Sequence, residues 1–303
     1  MADLMNTKQV AHYLGINEKK VYYLAKGGAI PCTRVTGKWV FPKKLIDQWI
    51  EDSAEGVVRS KQKEGERPFL LAAGSDDPSL GILRDLYSSH TNPASFFTAT
   101  VGSSAGLSAV RDGVADLAMA HLLDPETGEY NLPFAKKMLP SGAAVVLLFY
   151  RELGLILSRG NPKGVKGLSD LRRKGMRTIN RQQGSGTRHY FDLELAKLGI
   201  RSEEINGYED TVQTHLEVGL KVLRKETDAG LATKTVAQLL GLDFVPLVHE
   251  RFDILIPKAR FFSPAIQILL GIIGSREFRN RVEAMGGYDA SESGRIIASN
   301  RRR

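Results

Sequence analysis

Between Asn180 and Arg188 the chain reads Asn-Arg-Gln-Gln-Gly-Ser-Gly-Thr-Arg, a run rich in groups that donate to anions. A β-like run, Met176 to Ile179, precedes it, and Tyr190, Phe191, Leu193, Leu195 and Leu198 follow at helical spacing. A strand that turns through Gly and Ser into a helix leaves backbone N–H groups free at the helix N-terminus, where the dipole favours negative charge. Ser185 and Thr187 add hydroxyls, and Arg181 and Arg188 add charge. A nucleotide-phosphate loop would need Gly-x-x-x-x-Gly-Lys-Ser/Thr, and that lysine is missing, so the run reads as a small-anion site. The plainer alternative is a Gly-rich turn ahead of a capped helix.

Two other strand ends release similar loops. Phe69 to Ala73 reads as a buried strand before Gly74-Ser75-Asp76-Asp77-Pro78 and a helix reaching about Ser89. Ser95 to Val101 runs into Gly102-Ser103-Ser104-Ala105-Gly106 and a helix over Leu107 to Asp112. Asp116 to Ala120, Val145 to Tyr150 and Leu153 to Leu157 read as further strands, so the pattern is alternating α/β. In open α/β sheets ligands bind beyond the carboxyl ends of strands, and three such loops can converge on one anion. The expected contacts are Ser75, Ser103, Ser104, Arg181, Ser185, Gly186 and Thr187, with Tyr190 and Tyr208 as cleft walls. The Gly184 to Arg188 loop holds no carboxylate, which suits a fully deprotonated oxyanion such as molybdate or tungstate. The Asp76-Asp77 pair would repel such an ion unless it points away. His121 and His189 flank the loops, and a lone histidine so placed is more often a structural group than a base or ligand.

Catalytic patterns are missing: there is no Gly-x-Ser-x-Gly elbow, no His-Glu-x-x-His and, with Cys32 alone, no cysteine cluster for metal. The chain is therefore expected to be neither an enzyme nor a metal or cofactor protein, the anion effector aside. The 303 residues are 42% hydrophobic and 25% charged, the composition of a globular protein. No apolar run approaches the roughly 20 residues that span a bilayer, and the first residues lack a signal-peptide pattern. A cytoplasmic location without membrane contact is the expectation.

Of the net charge of +8, five lie in residues 1–50, which hold eight Lys or Arg against three Asp or Glu. Thr7 reads as the cap of a helix over Lys8 to Leu14, which Gly15 ends, and Asn17 as the cap of a second over Glu18 to Lys26. That second helix carries Lys19, Lys20, Tyr22, Tyr23 and Lys26 away from its apolar stripe of Val21, Leu24 and Ala25. A hairpin about Thr36-Gly37, with Arg34 and Lys38 near its turn, reads as a wing, and Lys43 to Ile50 as a closing helix. Together these are a winged helix-turn-helix suited to duplex DNA, with Trp39 and Trp49 expected in its core. Residues 51–67 are charged and read as a linker, and Arg301-Arg302-Arg303 as a basic tail.

The order of residues in this head resembles the excisionase or MerR-like family of small winged helix domains. The resemblance rests on Thr7-Lys8-Gln9-Val10-Ala11, Leu14-Gly15-Ile16, Val21-Tyr22, Gly28-Ala29-Ile30-Pro31, Arg34-Val35, Gly37-Lys38-Trp39 and Leu45-Ile46-Asp47-Gln48-Trp49. It implies DNA binding through the second helix and the wing. From Pro68 onward the chain resembles the type II periplasmic-binding-protein superfamily, and more narrowly the PBP-like domains related to tungstate- and molybdate-binding proteins. Gly102 to Leu107, Gly113-Val114-Ala115-Asp116-Leu117-Ala118, His121 to Asp124, Ser158-Arg159-Gly160-Asn161-Pro162, Gly184 to Arg188 and Gly230-Leu231-Ala232 carry it. It implies two lobes joined by a hinge: lobe I about 68–150 and 252–303, lobe II about 151–251. Tungstate binders have a Thr/Ser-rich first loop, and this chain has only Ser75 beside two aspartates there.

The combined expectation is a homodimeric one-component transcription regulator that senses an oxyanion in residues 68–303 and binds DNA through residues 1–50. The alternatives are the same architecture with an organic effector, or a non-regulatory oxyanion-binding accessory protein of cofactor synthesis.

Overall fold

The computed structural model describes residues 4–35, 37–55, 69–91 and 96–299. The chain divides into two compact units, Met1–Arg67 and Pro68–Arg303. In the first, β1 (Leu4–Met5) leads into α1 (Thr7–Leu14), α2 (Glu18–Lys26), the hairpin of β2 (Thr33–Val35) and β3 (Lys38–Pro42), and α3 (Lys43–Glu55). The strands form an antiparallel sheet in the order β1-β3-β2. Asn6, not Thr7, caps α1: its side chain accepts from the Gln9 N–H at 2.9 Å while the Gln9 side chain accepts from its own N–H. That reciprocal box requires a Gln or Glu three residues after the cap, which Asn6 has and Thr7 lacks. Asn17 caps α2 as expected, accepting from the Lys20 N–H at 2.8 Å. Val10, Val21, Phe41 and Ile46 are fully buried in the core, and Trp39 and Trp49 pack partly buried against it. α3 runs past the expected end at Ile50 to Glu55; the rest of the expected linker and the tail lie outside the described residues.

The second unit is built in chain order from β4 (Leu70–Gly74), α4 (Leu80–His90), β5 (Phe96–Thr100), α5 (Ser103–Arg111), β6 (Leu117–Ala120), α6 (Leu132–Met138) and β7 (Ala143–Leu157). There follow β8 (Thr178–Arg181), α7 (Gly186–Lys197), β9 (Thr211–Val212), α8 (His215–Leu223), β10 (Ala229–Thr233), α9 (Lys234–Leu240) and β11 (Asp243–Pro257). α10 (Lys258–Phe261), α11 (Pro264–Ile273), α12 (Arg276–Glu283), β12 (Tyr288–Asp289) and β13 (Ile296–Ser299) complete it.

One curled sheet runs β5-β4-β6-β11-β7-β10-β8-β9, with β12 and β13 also paired to β7. The two strands expected at Val145–Tyr150 and Leu153–Leu157 are one continuous strand, because Arg151 and Glu152 stay in the ladder opposite Glu250 and His249. β7 and β11, antiparallel over almost their whole length, tie two lobes together, and the ladder slips at Leu247 and Leu148. One end packs Leu83, Phe96, Leu148, Ile254 and Leu269 into its core; the other packs Leu155, Leu171, Phe191 and Leu231. Such continuous burial is what strands covered on both faces require.

Candidate functional site

The predicted contacts meet where the two lobes touch. At the end of β8, Arg181 is buried to 1% exposure; its Nη2 donates to the Gln213 carbonyl at 2.6 Å and its Nη1 has no partner. Ser185 caps α7 by accepting the Arg188 N–H at 3.1 Å. Its hydroxyl is thus an acceptor in the helix cap, and the N–H groups of Gly186 and Thr187 are left without an intrahelical acceptor. The Thr187 hydroxyl is buried and unpartnered. From the facing lobe, the Ser104 N–H donates to the Gly184 carbonyl at 3.1 Å. That approach needs Gly102, whose φ is +86° and where a Cβ would stand 3.1 Å from the same carbonyl. Gly186 packs flat on His121; a Cβ there would lie 2.6–2.8 Å from three ring atoms.

The first predicted loop behaves differently. Gly74-Ser75 does not open a helix directly, since α4 begins only at Leu80. Ser75 Oγ lies 2.8 Å from His121 Nε2, and Ser103 Oγ accepts the His121 backbone N–H at 3.4 Å. The acidic pair that seemed hostile to an anion is divided between two jobs. Asp77 pairs with Arg151 and accepts from the Tyr288 hydroxyl at 2.9 Å. Asp76 accepts the His215 backbone N–H at 3.1 Å, so it sits on the N-terminus of α8.

Four residues that motif reading left out of the expected contacts shape the same place. Arg151 of β7 lies with its Nε and Nη2 each 2.7 Å from Glu250 Oε1. Glu250 Oε2 is 2.8 Å from His121 Nδ1, which completes a buried chain Ser75–His121–Glu250–Arg151–Asp77. His215, the first residue of α8, is fully buried with both ring nitrogens unpartnered. Burial would push the Glu250 carboxyl up, but His121 and Arg151 outweigh it and hold it at about 2. Burial, then the Arg151 and Arg181 charges, keep His121 below the usual imidazole range despite Glu250. The same causes drive His215 further down. Burial brings Arg181 to about 10, against the support of Asp76, so it stays charged at neutral pH. The site is thus a closed, dry contact between lobes that contains orphaned donors on β8, α7 and α8. Buried donors of this kind are rare and costly unless a ligand completes them.

Other expectations fall elsewhere. Arg188 stacks at 3.9 Å on the Tyr208 ring and pairs with Asp192, which takes its charge away from the orphaned donors. Tyr190 lies in the core of the second lobe instead of a cleft wall. His189 Nε2 is 2.7 Å from the Leu123 carbonyl, a structural bridge. No group of three or more His, Cys, Asp or Glu suited to a metal occurs among the described residues.

In the first unit, Lys19, Lys20, Tyr22, Tyr23 and Lys26 are all exposed on α2, while Val21 and Ala25 face the core. Arg34 and Lys38 are exposed in the hairpin, and Arg34 donates to the Gly37 carbonyl at 3.3 Å and lies over the Trp39 ring. The charges predicted for a nucleic-acid face therefore stand free on one helix and one wing. No helix among the described residues is long and apolar enough to cross a membrane.

Residues 84–274 match the family profile described as the PBP superfamily domain, and residues 4–54 match a helix-turn-helix domain. The chain is 29% identical over 304 residues to the uncharacterized protein YvgK of Bacillus subtilis, covering 96% of each. Among solved structures, the second unit is similar to a phosphate ABC transporter substrate-binding protein from Clostridium perfringens with bound phosphate. That match has TM-score 0.57 and 18% identity over 71% of this chain and 97% of the other. A tungstate ABC transporter structure from Geobacter sulfurreducens matches at TM-score 0.53 and 15% identity, over 72% and 98%. At these identities the likeness is one of fold.

Proposed function

The chain belongs to the PBP superfamily domain family, and from that premise we propose that it is a cytoplasmic one-component transcription regulator sensing a small oxyanion. The observation that carries the ligand is the set of buried, unpartnered donors: Arg181 Nη1, Thr187 Oγ1 and the ring of His215. An ion with acceptors on all sides completes them, and charge-assisted bonds from Arg181 give most of the attraction. Ser103 and Ser104 at the start of α5 and Gly186 at the start of α7 add backbone donors from both lobes. Contacts from both sides favour the closed form. The head reads as an excisionase- or MerR-like winged helix that docks α2 in the major groove of duplex DNA, and two copies on a palindrome would double a short site.

Molybdate or tungstate is the ligand we favour, since the Gly184 to Arg188 loop holds no carboxylate. One observation supports a second reading: Asp76 lies in the field of Arg181 beside His215, and a carboxylate there suits the P–OH of hydrogen phosphate. The experiment is calorimetric titration with molybdate, tungstate, phosphate and sulfate beside small organic acids, followed by DNA binding with and without the ion that binds. A ligand at 100 times its Kd should stabilise the protein by about 2.7 kcal/mol. Binding of an organic acid alone replaces the oxyanion reading; no effect of any bound ligand on DNA affinity removes the regulatory one.

A further inference from the structure

The contact between the lobes buries more negative than positive charge. Arg151 and Arg181 face Asp77, Glu250 and the half-buried Asp76, with both imidazoles neutral. The N-termini of α5, α7 and α8 offset roughly half a charge each. A dianion brought into that contact still leaves buried negative charge uncompensated, which a low-dielectric site resists.

The bonds to His121 show where compensation can come from. Arg151 keeps Glu250 ionised, so His121 Nδ1, at 2.8 Å from that carboxylate, carries the ring hydrogen. The neutral ring then accepts at Nε2, and the Ser75 hydroxyl must spend its hydrogen there. Ser75, a predicted donor, is an acceptor towards anything else. Protonating the ring inverts the pair: Nε2–H donates to Ser75 Oγ and the hydroxyl hydrogen turns free.

We infer that an anion enters this cleft together with one proton from solvent, taken up at His121 Nε2 and held there by Glu250. The inference rests on the anion reading of the same site. One proton supplies both the missing charge and the missing donor. The groups facing the ring are Glu250 from β11, Arg151 from β7, Arg181 from β8, His215 from α8 and Ser75 after β4. Ser103 of α5 holds its backbone and Gly186 of α7 its face. Only Glu250 offers an imidazolium its counter-charge directly. The His215 ring touches no carboxylate and faces Arg181 and Arg151, so it remains a neutral donor.

The test is calorimetry of the full chain with sodium molybdate and with sodium sulfate, which stay dianionic near neutral pH. Each titration is repeated in two non-phosphate buffers of different ionisation enthalpy. About one proton should be taken up per anion, and affinity should rise about tenfold for each unit fall in pH above the His121 titration. His121→Gln should abolish the uptake and flatten the pH dependence, and His215→Gln should keep both. Should His121→Gln not fold, Glu250→Gln with the wild-type pair of buffers decides the same point. Binding with equal heats in both buffers overturns the inference and leaves the proposed function standing. Uptake that survives in His121→Gln and vanishes in His215→Gln overturns it as well. No binding of either dianion at any pH removes the oxyanion reading and this inference with it.

Discussion

Arg181 is the residue on which anion binding turns. Its buried guanidinium keeps one nitrogen unpartnered, and charge-assisted hydrogen bonds are worth about 1.5–3 kcal/mol each. Arg181→Ala should weaken anion binding by roughly 10- to 150-fold, read by titration. DNA affinity without ligand should not change; a variant that binds the anion as the wild type does would place the ion elsewhere. His215 gives a second test, on stability. Its folded-state pKa is depressed, so the stability it contributes is present above about pH 6.5 and is lost as pH falls below that value. Asp253, pushed up to about 6 by burial, titrates with the opposite sign, so a single melting curve would mix the two. The comparison with His215→Gln isolates the histidine. Ligand-free wild type should lose stability relative to that variant between about pH 7.5 and 5.5, measured by paired thermal melts. A constant difference across that range contradicts the burial of a neutral ring. The two residues also mark the limit of sequence reading. Arg181 was legible because it stands beside a Gly-Ser-Gly-Thr turn whose chemistry is local. Arg151 and Glu250 were not, because nothing near either hints that β7 and β11 set them opposite one another. His215 was missed because Thr214 and Glu217 read simply as a capping box, and only folding brings Asp76 onto that helix end.

At the scale of elements, helix starts determine how the lobes meet. Gly186 is the first residue of α7, with ordinary helical backbone, so alanine there costs no left-handed strain. Its Cβ, however, would stand 2.6–2.8 Å from the His121 ring. Gly186→Ala should hold the lobes apart, cost at least about tenfold in anion affinity (1.4 kcal/mol), and keep the helix itself intact. Small-angle scattering of the variant should show no compaction on adding the ion that binds wild type. Compaction equal to wild type would show that the contact yields easily. The strand-to-helix turns at α5 and α7 could be read from Gly and Ser after apolar runs. The one at Gly74-Ser75 could not, because the chain spends five residues, Ser75 to Ser79, wrapping Asp77 around Arg151 before α4 begins. In the head, α2 separates its roles cleanly. Lys19 and Lys20 are exposed and Val21 is wholly buried, so Lys19→Ala with Lys20→Ala should leave the fold intact. Each lysine that neutralises a phosphate adds about one to the slope of log affinity against log salt, so the double variant should be shallower by about two. An unchanged slope would take α2 off the DNA.

The whole molecule joins a basic head to a two-lobed unit, and the quantity that links them is a coupling free energy. Closure ties Ser104 to Gly184, Asp76 to His215 and Gly186 to His121, three contacts that an open form would lack. An ion that completes Arg181, Thr187 and His215 binds the closed form in preference, and it can shift DNA affinity only by as much as that preference. Couplings of this kind amount to about 1–3 kcal/mol, or roughly 5- to 150-fold. Linkage makes the effect reciprocal: operator DNA must change anion affinity by the same factor that the anion changes DNA affinity. The prediction is therefore a pair of titrations, DNA into protein with and without anion and anion into protein with and without DNA. Equal factors in the two directions, both abolished in Arg181→Ala, are expected. A change in DNA affinity without the reciprocal change in anion affinity cannot come from one binding equilibrium; it would mean that the ion acts on the DNA or on the head itself, by screening, and not through the cleft. Repeating both titrations with sodium chloride at matched ionic strength separates screening from coupling, because chloride brings the same ionic strength without the tetrahedral acceptors that Arg181 and His215 require.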